Sequence, residues 1–264
     1  FGIVAYLKTP RLRGLLAIYF AASSVGAMII VNTVVLTRGV LGGSEFLTTS
    51  FLACAGGGSM IAAFLIPRLI ERTGERRLML SGIVGAAAAM LLGGALLVAG
   101  ERGVMAFATL WVIAGAGTTF AQTPGGRLVQ RSAGDGDRSA FFAANFALSH
   151  GGWLFAYGIV GWLGSLADLS VAFLASGGLG FMAIIAAILL WPKEDKLAIR
   201  HSHPGFWHEH PHDHNDPHHV HVHEDAQDRE KHRHRHYHPP VTHKHHFVID
   251  SHHTKWPMES GDRV

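Results

Sequence analysis

Six long apolar runs, separated by short polar loops, decide what this chain can fold into. They cover roughly residues 15–36, 46–66, 78–99, 104–122, 141–163 and 171–191. Each is close to the ~20 residues a helix needs to cross a bilayer core of ~30 Å. All are apolar on every face, which excludes soluble amphipathic helices. The reading is an all-α membrane protein with six transmembrane helices, embedded in a lipid bilayer.

The loops between the runs alternate in charge. One set carries Lys8, Arg11 and Arg13, then Arg68, Arg72, Arg76 and Arg77, then Arg127, Arg131 and Arg138, then Lys193, Lys196 and Arg200. The other set has only Arg38 and Arg102 among its basic residues, beside Glu45, Glu101 and Asp168. Lys and Arg near helix ends are retained on the cytoplasmic side. The basic set is therefore assigned to the cytoplasm, and both ends of the six-helix block face inward. A bacterial-type inner membrane is the expected location.

Composition is informative only once the chain is cut in two. Residues 1–200 carry a net positive charge, whereas the last 64 residues are net acidic with neutral His and hold 19 of the 20 histidines. The high pI is therefore a membrane-topology signal, and nucleic acid is not an expected partner. The single cysteine, Cys54, excludes a disulfide framework within one chain and reads as a packing residue. The organisation is thus a basic lead-in at 1–13, a six-helix block at 14–192 and a His-rich tail at 193–264. The tail is polar and interrupted by prolines at 204, 211, 217, 239 and 240. It is expected to remain mostly disordered without a ligand.

Three groups of residues could carry chemistry. In the tail, His-x-His spacing recurs through His208, His210, His212 and His214, then His219, His221 and His223, then His232, His234, His236 and His238. In an extended segment, residues two apart share a side, so alternate imidazoles can chelate one ion. Neutral imidazole suits nickel, cobalt, zinc and copper(II), so a divalent metal is the ligand expected at the tail, with no tightly bound cofactor. The competing readings are a solvated low-complexity tail and a pH-responsive one.

Within the spans, His150 is the one ionisable side chain near the middle of a run, and such residues are functional candidates by default. Asn145 and Asn32 could line the same cavity or simply bond between helices. Glycine is dense in the runs, as at Gly56, Gly57 and Gly58, and small residues let helix backbones approach closely in lipid. A hinge role is the alternative. No phosphate-cradling glycine loop with Lys-Ser/Thr is present, and no enzymatic activity is nominated.

The stretch from Pro67 to Arg77 resembles the basic loop of the major facilitator superfamily. Leu69, Arg72, Gly74, Arg76 and Arg77 match, while Pro67 stands for the family glycine and Glu71 for the family aspartate. Thr123–Ala133, Phe142–His150 and the His-rich tail are similar to nickel-resistance-type permeases of that superfamily. The resemblance implies helices seven to twelve of a twelve-helix fold, with an N-terminal six-helix half as the missing partner. It also implies that Glu71, Arg72, Arg76 and Arg77 form a gating charge cluster between the halves. The expected function is secondary active transport of a small solute or metal ion, with nickel or cobalt efflux foremost. An organic-compound or drug permease with a metal- or pH-sensing tail is the alternative, and a non-transporting metal buffer a third.

Overall fold

The computed structural model describes residues 1–193, 195, 198–203, 206–212, 232–238, 241–249, 253 and 255–257, the strands mainly by their backbone. The chain divides into two compact units, Phe1–Asp195 with Val248–Trp256 and Lys196–Phe247 with Pro257–Val264.

The first unit is helical. A short α1 (Gly2–Lys8) leads into α2 (Pro10–Val34), which continues as a π-helical turn over Val35–Val40. Then follow α3 (Glu45–Thr73), α4 (Glu75–Val98), α5 (Val104–Gln122), the short α6 (Gly125–Arg131), α7 (Arg138–Leu166) and α8 (Leu169–Leu190). Their ends follow from local chemistry. Pro10 opens α2 at a position where its missing N–H costs nothing. Gly74 separates α3 from α4 at φ +78°, a conformation that a side chain resists. Pro192 follows the last turn of α8.

Five helical stretches are long and apolar enough to cross a membrane: Pro10–Val40, Glu45–Thr73, Glu75–Val98, Val104–Arg131 and Leu169–Leu190. The six expected spans thus stand at five by this measure. The sixth long helix, α7, has 29 residues but is diluted by Asn145, Ser149, His150 and Ser165.

Packing is backbone-close. In α3 and α5, a Cβ placed on Gly58 would lie 2.1 Å from the Val112 carbonyl oxygen, and one on Gly115 would lie 2.0 Å from that of Ala55. The Ser59 hydroxyl donates to the Gly115 carbonyl across the same contact, at 3.0 Å. Gly82 of α4 and Gly117 of α5 meet in the same way. These glycines pack helices, as small residues do where no hydrophobic effect separates helix from lipid. Gly56 and Gly57, by contrast, face open space. At the centre, Trp111 lies edge-on to Phe51 and Phe173, and its indole N–H donates to Thr33. Helices α3 and α7 leave large apolar side chains uncovered, among them Phe46, Met60, Phe64, Phe146, Leu154, Phe155 and Trp162.

The tail, expected to remain mostly disordered without a ligand, is described in part within the second unit. Its described residues form β1 (Ala198–His203), β2 (Phe206–His212), β3 (His232–His238) and β4 (Val241–His246). β1 pairs antiparallel with β4, and β2 with β3, as two separate two-stranded sheets. The expectation from composition rests on buried apolar area. The described ladders are built from main-chain hydrogen bonds and a two-residue alternation.

Candidate functional site: a charge cluster and a polar cleft in the helical unit

Two sites stand out in the helical unit. The first gathers the basic loops at one end of the helices. Glu75, in the first turn of α4, pairs with Arg127 at 3.3 Å and with Arg131 at 3.2 Å, both presented by α6. Arg131 also reaches Asp195 at 2.8 Å, and Asp195 pairs with Arg11 of α2 at 3.3 Å. One chain of alternating charge therefore ties together α2, α4, α6 and the segment after α8.

Arg11 is the costly member. Its side chain is 1% exposed, yet no nitrogen of its guanidinium makes a well-aligned hydrogen bond. Its charge is offset by Asp195 through distance alone and by the Trp256 ring, whose centroid lies 5.3 Å away. Arg76 has another task. Its Nη2 donates to the Trp191 carbonyl at 3.2 Å, with the Ile188 carbonyl at 3.5 Å. It thereby supplies donors to carbonyls that the end of α8 leaves without helical partners.

The other members of the expected gate take no part in this chain of ion pairs. Glu71, Arg72 and Arg77 are exposed, and none makes an ion pair among the described residues, although Arg77 lines the same pocket as Glu75, Arg127, Arg131 and Asp195. The acid that engages is Glu75, four residues beyond Glu71 and across the Gly74 turn. Sequence reading passed over it because the resemblance pointed to Glu71. A carboxylate in the first turn of a helix was the available signal.

The second site is a cleft of about 540 Å³ lined by Tyr19, Gln122, Phe142, Asn145, Phe146, Ser149, His150 and Trp153. Asn145 accepts a hydrogen bond from Tyr6 at 2.9 Å, and Tyr19 donates to the Gln122 carbonyl at 3.4 Å. Burial, then the neighbouring Tyr19, holds the Tyr6 phenol far above its ordinary pKa, so it remains a donor. His150 is exposed and stacks on Phe146 with centroids 3.9 Å apart. Its Nδ1 lies 2.8 Å from the Phe146 carbonyl, which can only accept. The proton is therefore assigned to Nδ1, and in the neutral ring Nε2 keeps its lone pair. That lone pair can accept a proton or bind a metal ion.

Asn32 does not join this cleft. It is buried and donates to the Val160 carbonyl at 3.4 Å, with Gly164 packed against its amide. It bridges α2 to α7. Among the described side chains, no three His, Cys, Asp or Glu are gathered as a metal site. Of the tail histidines, His208, His210, His212, His232, His234, His236 and His238 lie on β2 and β3. His214, His219, His221 and His223 lie outside the described residues.

The family model described as Major Facilitator Superfamily matches residues 14–221. The chain belongs to the major facilitator superfamily. No curated protein matches it. Membership makes it a multi-pass membrane protein of a transporter family, consistent with its five apolar spans. The basic-loop resemblance is thereby supported at the level of the superfamily.

Proposed function

We propose that this chain is the C-terminal six-helix half of a secondary transporter that exports a divalent metal ion, nickel or cobalt foremost. The observation that carries this reading is His150. Its Nδ1 is committed to a backbone carbonyl, so Nε2 is left as a ligand atom in a polar cleft between Asn145 and Trp153. Imidazole nitrogen suits these ions, and the His-rich tail supplies many more such donors beside the helical unit in sequence.

In this reading α7 is the sixth span, and its exposed apolar face meets lipid and the N-terminal half. The basic end of the helices faces the cytoplasm. Glu71 and Arg72, exposed and without ion pairs among the described residues, are left to engage the other half in one gating state. The tail collects ions at the inner mouth.

The aromatic wall of Phe142, Phe146 and Trp153 favours a second reading, an organic cation or drug as substrate. Metal and drug efflux from cells carrying the complete transporter separate the two. Under the first reading, His150→Ala and Glu71→Gln abolish most nickel or cobalt export, and deletion of 201–264 raises metal sensitivity only partly. Unchanged resistance to nickel, cobalt and zinc after removal of the whole gene would end the metal reading.

A further inference from the structure

The tail histidines are arranged across strands as well as along them. In the β2–β3 ladder, His208 stands opposite His236, His210 opposite His234 and His212 opposite His232. His238 stands opposite Phe206 in the same alternating set. Seven histidines therefore share one face of a two-stranded ribbon. The other face carries Trp207 opposite Tyr237, Glu209 opposite Arg235 and Pro211 opposite Arg233. An aromatic pair and an opposite-charge pair are each stabilising at such positions. The β1–β4 ladder has one opposed pair, His201 with His243, while Ile199 faces His245 and His203 faces Val241.

Register turns this into a geometric preference. Residues two apart on one strand are separated by about 6.6–6.8 Å. Directly opposed residues have Cβ atoms only about 4.5–5.5 Å apart. Pro211 has no N–H for the ladder, so its pair with Arg233 belongs to the non-hydrogen-bonded class. The histidine pairs then fall in the hydrogen-bonded class, with Cα atoms about 5.5 Å apart. A divalent ion holds imidazole nitrogens at about 2.0–2.1 Å, and the shorter base suits two ligands on one ion.

We infer that the chelating units of the tail are the opposed pairs His208/His236, His210/His234 and His212/His232, and that a divalent metal ion clips β2 to β3 by bridging them. This rests on the reading of the tail as a divalent-metal binder, and it replaces chelation along the His-x-His repeat with chelation across the ribbon. It also makes metal a folding ligand of the ribbon. Each bridge ties β2 to β3, and binding to the folded form alone stabilises the ribbon.

The test is a set of variants of the full chain in lipid nanodiscs, titrated with nickel(II) alone. The set comprises H210A, H234A, the opposed double H210A/H234A and the same-strand double H208A/H210A. The opposed double should lose no more bound nickel than either of its singles. The same-strand double should lose about twice as much as H210A. Additive losses across the strands, with coinciding losses along one strand, would overturn the inference and leave metal binding intact. Absence of nickel binding by the unaltered chain would instead remove the metal reading of the tail together with this inference. A second measurement needs no metal. In a Cys54→Ala background, H210C/H234C should form a disulfide under mild oxidation, because Cα atoms about 5.5 Å apart lie in the bonding range. H210C/H236C should not, and the reverse result would refute the register on which the pairs depend.

Discussion

Asp195→Asn removes the carboxylate that compensates Arg11, and its consequence follows from the burial of that arginine. The Arg11 side chain is 1% exposed and that of Asp195 17%, so the pair is shielded from water on the arginine side. Removing one partner of a buried pair typically costs ~3–5 kcal/mol, because the remaining charge is left uncompensated. The partial exposure of Asp195 argues for the lower end, about 3 kcal/mol. Arg131 would lose its 2.8 Å ion pair with Asp195 but, partly exposed, would still hold Glu75 at 3.2 Å, so most of the loss falls on the buried Arg11 and on the Trp256 ring beside it.

For a chain of this size, 3 kcal/mol corresponds to a fall in Tm of roughly 6–12 °C. Thermal melting of the purified chain in detergent, followed by tryptophan fluorescence, reads the change. The shift should persist at high salt, since screening acts weakly on buried pairs. Arg11→Met combined with Asp195→Leu should recover most of the loss, because apolar replacement of both partners is often neutral or stabilising. A melting point for Asp195→Asn within 1 °C of the parent (well inside ~1 kcal/mol), or a double variant no better than the single, would refute the reasoning.

Further outcomes follow from the same geometry. Gly115→Ala should reduce the yield of folded chain, since its Cβ would meet the Ala55 carbonyl oxygen at 2.0 Å, whereas Gly57→Ala, which faces open space, should express as the parent does; equal yields would count against backbone contact between α3 and α5. Arg76→Gln should lower the melting temperature by an amount corresponding to about 1 kcal/mol, the scale of a helix-end interaction, by loosening the end of α8. An unchanged melt would show that Arg76 does not stabilise that end.

Much of the fold was legible in the chain itself, because lipid demands long apolar segments and retains arginines on one side whatever the packing. The apolar runs, the loop alternation and the close-packing glycines are one-dimensional consequences of that solvent. The family motif was legible too, since Leu69, Arg72 and Gly74 stand at fixed spacing. Which acid engages the arginines was not legible. Glu71 and Glu75 are equivalent by composition, and the turn at Gly74, with α6 folded across it, selects Glu75. The same holds for two asparagines that read alike: helix rotation puts Asn145 in the cleft with His150 and seals Asn32 against Val160.

The tail shows the division most clearly. Its sequence alone determined how many imidazoles it carries and that they alternate, because a period of two is written residue by residue. Which histidine stands opposite which depends on strand register, and a shift of one position would exchange the faces. Charge compensation at Arg11 is likewise decided by folding, since its partner Asp195 lies 184 residues away and only the packed helices bring the two within 3.3 Å. Local pattern records what each residue prefers, while partnership between distant residues exists only after the chain has closed on itself.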